Sequence, residues 1–208
     1  MTRNSESENI VTGISPGDGR FDQVSIALHW LTVLLIVVQY GSLWLHEAAH
    51  HASNFSAALL SVHRSMGIVT WIVAVTRLVW RRNFADLPPF PPDMPKLQQV
   101  IAKANEYGLY LLLLVQPITG LAGVLLRGQP FTLFFWGVPA LFEPNPPVRT
   151  MFIEAHEIGA KALLLLIGLH AGAALFHRLV LRDGVLQRML PRLPERTRLT
   201  PPLTSRAE

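Results

Sequence analysis

The stretch Met151-Phe-Ile-Glu-Ala-His-Glu-Ile-Gly-Ala-Lys-Ala-Leu-Leu-Leu-Leu-Ile-Gly-Leu-His-Ala-Gly172 decides the fold. An apolar run of this length is a membrane-span candidate, and a histidine near each end of it is costly in lipid and usually marks a site. His170 follows His156 by fourteen residues. At about 100° per residue this is three full turns and about 320°, so both imidazoles lie within about 40° of one helical face, roughly 21 Å apart along the axis. One helix can therefore offer two ligands, one near each membrane surface.

Working outward, the whole chain carries the same signature. Of its 208 residues 50% are hydrophobic and 15% charged, too apolar for an ordinary soluble domain and sufficient for several spans. There are no cysteines, which excludes disulfides, thiolate metal sites, iron–sulfur clusters and covalent c-type haem attachment. A redox cofactor must then be held by histidine, and the chain has eight. The net charge of +4 is modest, its distribution matters more than its size, and nothing in it addresses nucleic acid. Residues 1–20 are polar and Gly/Ser-rich, unlike a cleaved signal peptide, and are expected to form a disordered N-tail; 191–208 are expected to form a disordered C-tail.

Apolar residues gather in four blocks, about Val24 to Leu45, Ala58 to Trp80, Glu106 to Leu126 and Phe152 to Phe176. Each is long enough to cross a roughly 30 Å hydrocarbon core as a helix, and backbone in lipid must satisfy its own hydrogen bonds. The alternating pattern of a β-barrel is missing. The expected fold is all-α, a four-helix integral membrane bundle over residues 21–190. Arg3, Arg20, Arg77, Arg81, Arg82, Lys96, Lys103 and seven C-terminal arginines fall on one side, against only Arg64, Arg127 and Arg149 on the other. The positive-inside rule then puts both termini in the cytoplasm. Leu87 to Pro95 reads as an extended proline-rich linker, Lys96 to Ala104 as a short interfacial helix, and the aromatic-rich Gly128 to Thr150 as a segment lying in the interface.

Counting from the span ends places the histidines in depth. His29 and His170 are level on the cytoplasmic side, and His63 and His156 are level on the outer side. Facing neutral imidazoles inside an apolar bundle suit axial ligation of haem, giving the pairs His29/His170 and His63/His156. Gly67, Gly159, Gly168 and Gly172 are small residues that let a flat macrocycle, or simply another helix, come close. Arg77, fourteen residues after His63, is placed to meet an inner propionate; Arg64 and Arg149 are placed to do so outside, with headgroup contact as the alternative for all three. His46, His50 and His51 are expected in the exposed outer loop and His177 at an inner helix end, with no site role beyond loose metal binding at the loop cluster.

With these residues in hand the chain resembles the bacterial cytochrome b561 family. The likeness runs from Arg20 to Pro191 and rests on Arg20-Phe-Asp with Leu28-His29-Trp30, His63-Arg64 with Gly67, Arg77-Leu-Val-Trp-Arg81, Tyr110 with Pro117-Ile-Thr-Gly120, Arg127-Gly-Gln-Pro, His156-Glu157 and Gly168-Leu-His170. The resemblance implies two b-type haems bound between helices by His29, His63, His156 and His170, in a bacterial inner membrane. Glu106 departs from it, standing where some relatives carry a histidine.

Two axial histidines leave iron no open position, so outer-sphere electron transfer is expected. The resemblance implies a membrane quinone as partner, and its superoxide-oxidising type, passing electrons from superoxide to ubiquinone, is nearest in size and layout. Arg64, Arg127, Arg149 and Lys161 form a basic rim, partly offset by Glu143, Glu154 and Glu157, that would steer a small anion. Lys161 could equally snorkel as an anchor. Trp30, Trp71 and Tyr110 could line a quinone site, though core packing or interface anchoring is the better reading of each. Two alternatives stand beside this reading: an anchor subunit passing electrons from a periplasmic dehydrogenase or hydrogenase to quinone, and a histidine-lined metal-ion transporter.

Overall fold

The computed structural model describes residues 19–49, 54–85, 87–91 and 94–191. Four long helices make the architecture: α1 (Gln23–Ala48), α2 (Asn54–Asn83), α3 (Lys96–Leu125) and α4 (Pro146–Phe176). All four are long and apolar enough to cross a membrane, α4 together with the π-helical turn His177–Leu181 that prolongs it. The expected tails lie largely outside the described residues, as do His50 and His51.

The bundle is apolar outside and polar within. Leu34, Val37, Ile72 and Leu165 are exposed, whereas Ser25, Thr32, Ser42, Ser61, Ser65, Thr70 and Gln116 are buried. Small polar residues let helices approach closely in lipid, and their hydroxyls return to their own helix: Thr32 donates to the Leu28 carbonyl, Ser65 to Ser61 and Thr70 to Met66, each at 2.7 Å. Ala74, Leu113 and Leu163 form the small apolar centre. Helix α1 packs on α2, α2 on α3 and α3 on α4; among the described residues α4 stands off from α1 and α2. That gap is where the histidine pairs lie.

One end of the bundle carries the first and last of the described residues. Asp22 caps α1, accepting from the Ser25 amide (2.9 Å) and hydroxyl (2.6 Å), and also from Trp80 Nε1 at 3.0 Å, so the start of α1 is tied to the end of α2. A 3₁₀ turn at Leu186–Met189 folds beneath this end. Trp30 Nε1 donates to the Met189 carbonyl and Arg20 to that of Leu190, both at 2.8 Å, while Arg188 donates to the Pro89 carbonyl at 2.7 Å. The other end carries a β-hairpin, β1 (Phe131–Leu133) paired antiparallel with β2 (Trp136–Val138). The Phe134 amide donates to Ser65 Oγ at 2.6 Å and fixes the hairpin on α2.

Several sequence expectations change. Lys96 to Ala104 is not a separate short helix; it is the first part of α3, because no proline or glycine interrupts the chain from Lys96 to Tyr107. Gly128 to Thr150 contains the hairpin, and α4 already starts at Pro146, where Asn145 caps it and proline suits the first turn. His46 lies in the last turn of α1 rather than in a loop, bonded to Ser56 Oγ at 2.6 Å. His177 lies at the end of α4, as expected, where it is buried and bonded to Asp183. Trp30 donates to the Met189 carbonyl and Tyr110 is a buried residue of α3, neither at odds with the packing or anchoring expected of them.

Candidate functional site

Helix α4 supplies one histidine to each pair, as its spacing requires. At the terminal end the rings of His29 (α1) and His170 (α4) have centroids 6.1 Å apart; at the hairpin end those of His63 (α2) and His156 (α4) are 6.3 Å apart. Neither is a stacking contact. A metal–imidazole bond of about 2.0 Å plus roughly 1.1 Å from ring nitrogen to ring centre, taken on both sides, gives a separation of about 6.2 Å. Each pair is thus spaced for one metal atom between two rings, and the residues fit bis-histidine haem. Among the described residues no group of three or more His, Cys, Asp or Glu side chains could hold a bare metal ion.

The hairpin-end pair opens on a cavity of about 990 Å³. It is within the range of cofactor pockets, and its wall is mostly apolar. Arg64, Arg127, Arg149 and Lys161, the four cations that the sequence places together, all line it, with Glu47 and Glu157. Arg64 sits 6.0 Å from the centre of the Phe131 ring in the hairpin. The Arg149 Nε is buried without a hydrogen-bond partner, a donor available to an anionic group. Glu143 and Glu154 are not among the lining residues.

Both histidines at this end are held from behind. His63 Nδ1 lies 3.1 Å from the Gln39 carbonyl, and His156 Nδ1 lies 3.0 Å from the Gln116 carbonyl and 3.2 Å from Thr119 Oγ1. A carbonyl only accepts, so at His156 the proton sits on Nδ1 and Nε2 keeps its lone pair for a metal. The backbone permits this because position 120 is glycine: a Cβ there would lie 2.8 Å from His156 Cε1. Gly159 likewise makes room for Gln116, whose Oε1 would stand 2.5 Å from a Cβ, and the Gln116 amide donates to the His156 carbonyl at 2.9 Å. Tyr40 reaches across from α1 and donates to the Ala160 carbonyl at 2.6 Å. Of the glycines singled out in the sequence, Gly67 and Gly159 abut glutamine side chains, whereas Gly168 and Gly172 face open space.

The terminal-end pair is built differently. His29 Nδ1 is buried without a partner, and among the described residues His170 makes no hydrogen bond. Arg77 lies near enough for its charge to act on both rings, and its guanidinium stands 5.5 Å from the Tyr110 ring centre. Beside it Arg81 pairs with Glu106 at 2.5 Å, and Lys103 joins at 3.3 Å. Glu106 is therefore engaged in an ion-pair cluster.

Gln39, Gln116 and Tyr40 were not singled out in the sequence, and Thr119 stood there only within Pro117-Ile-Thr-Gly120. A signal existed: Gln39 and Gln116 are amides inside apolar runs, and a polar group at that depth requires a partner.

A family model described as prokaryotic cytochrome b561 matches residues 20–192. Cytochrome b561 homolog 1 of Escherichia coli (strain K12) is 30% identical over 173 residues, spanning 83% of this chain and 98% of the relative. Probable superoxide oxidase CybB of Yersinia pestis is 30% identical over 176 residues, with 83% and 97% covered. Cytochrome b562 of Cereibacter sphaeroides is 24% identical over 170 residues, with 82% and 94% covered.

Proposed function

The chain belongs to the prokaryotic cytochrome b561 family, membrane electron-transport proteins that carry b-type haem, and from that premise we propose that it is a superoxide:ubiquinone oxidoreductase with two haem b groups. His63 and His156 hold one haem, His29 and His170 the other. Arg64 and Arg149 are the propionate partners at the hairpin end and Arg77 at the terminal end. The Lys and Arg distribution supports a bacterial inner-membrane orientation with both termini cytoplasmic and the hairpin end outside.

When bound, the haems supply one-electron transfer across the bundle, so that two superoxide anions give two dioxygen molecules while one quinone takes up two electrons and two protons. The protein's part is binding, orientation and steering. The observation that carries the superoxide reading is the gathering of Arg64, Arg127, Arg149 and Lys161 on the wall of the same cavity as His63 and His156. Positive charge concentrated in a low-dielectric cleft raises the encounter rate of a small anion. Arg127 and Lys161 keep that role when Arg64 and Arg149 pair with propionates. A relative named as a probable superoxide oxidase supports the same reading.

The test is a rapid-mixing experiment in which superoxide is added to purified protein with a quinone analogue. The expected result is haem reduction with one quinol formed per two superoxide anions. Haem that stays oxidised with superoxide, and is reduced by a co-purifying periplasmic dehydrogenase or hydrogenase, would replace this reading with the anchor subunit. A colourless preparation binding divalent metal would replace it with a transporter.

A further inference from the structure

The two histidine pairs differ in what stands behind the rings, and this difference orders the sites. We propose that the hairpin-end site has the lower reduction potential of the two, with Thr119 as the positioning residue that helps set it through His156. The inference rests on the ligand pairs proposed above.

The cradle is local in sequence. Gln116-Pro-Ile-Thr-Gly120 presents to His156 a main-chain carbonyl, a hydroxyl and, at Gly120, the space for the ring to lie against α3. The Thr119 hydroxyl donates to the Gln116 carbonyl at 2.9 Å, leaving its oxygen lone pairs toward the His156 Nδ1–H at 3.2 Å. That proton is thus shared between two acceptors. A hydrogen bond accepted from the distal N–H makes an imidazole more basic and a stronger donor to its metal. A stronger donor favours the more positive oxidation state, which lowers the potential.

At the terminal end His29 Nδ1 is buried with no acceptor and His170 has none among the described residues, so neither ligand gains basicity in this way. The Arg77 guanidinium favours the less positive, reduced state at this end, but Arg64, Arg127, Arg149 and Lys161 do the same at the hairpin end, so charge does not set that end lower. The ordering therefore rests on the hydrogen bonds behind the rings. An electron arriving at the hairpin end would meet the lower potential first, and transfer toward the terminal end would be downhill.

The experiment is a spectroscopic potentiometric titration of the purified protein, with haem counted per chain, for the wild type, Thr119→Val, Thr119→Ser and His156→Ala. Thr119→Val keeps the shape and removes the acceptor. The expected result is two haems retained, the lower step moved upward, the upper step unmoved, and the wild-type value restored in Thr119→Ser. His156→Ala is expected to lose one haem together with the lower step. Loss of the upper step in His156→Ala overturns the ordering while leaving ligation intact. Two haems retained in His156→Ala overturns the ligand assignment itself. In Thr119→Val, an upper step that moves, or two steps that both stay, overturns the role of Thr119.

Discussion

The two ends of the bundle solve different problems with the same pair of residues. At the hairpin end His63 and His156 are hydrogen-bonded from behind and face a cavity of about 990 Å³ lined by four cations. At the terminal end His29 and His170 have no such support among the described residues, and hydrogen bonds join Trp30 to Met189, Arg20 to Leu190 and Arg188 to Pro89. One end has a cavity lined by four cations; the other is crossed by hydrogen bonds from the described residues nearest the two termini. The spacing on α4 makes the pairs alike, and the helices facing α4 make them different.

The largest expected effect breaks one end while sparing the other. His63→Ala is expected to lose the hairpin-end haem and keep the terminal-end one, with His29→Ala doing the converse; haem per chain and the split of the reduced α-band measure it. Next comes the charge at the open end. Rising ionic strength should lower the rate of haem reduction by superoxide, and Arg127→Gln should lower it by about tenfold at low salt through weaker steering. A rate independent of salt would remove the cationic cavity from the account.

A smaller effect sharpens the role of the α3–α4 contact. Gly159→Ala drives a methyl to 2.5 Å from Gln116 Oε1, an overpacking expected to cost about 1–3 kcal/mol and to loosen His156; earlier thermal loss of one haem is the readout. The smallest lies at the closed end. Burial pushes the Asp22 carboxyl up, but hydrogen bonds from Ser25 and Trp80 outweigh it and hold the group below the ordinary carboxylate value. A lowered folded-state pKa stabilises fully above about pH 5 and fades as pH falls through the folded value. Asp22→Ala should therefore cost about 1 kcal/mol near neutral pH and progressively less in acid, measured by thermal unfolding in detergent.

The four spans were legible because lipid leaves few choices: each apolar block had to be a helix, and the histidine register followed from about 3.6 residues per turn. Boundaries were less so. Helix α3 starts at Lys96, ten residues before the apolar block, because charged residues such as Lys103 and Glu106 can continue a helix beyond the hydrocarbon. The hairpin was hidden because Thr132-Leu-Phe-Phe-Trp136 carries no glycine at its turn: Phe134 adopts φ 52° and Ser65 binds its amide. Which helices face α4 could be inferred from depth, but the carbonyls of Gln39 and Gln116 could not, since main-chain acceptors leave no mark in a sequence.

The central claim is that each pair holds its own haem, and double substitutions test it most directly. His29→Ala/His170→Ala removes both members of one pair and should retain one haem per chain, whereas His29→Ala/His156→Ala removes one member of each and should retain none. One haem surviving in the second variant, or none in the first, would contradict the pairing.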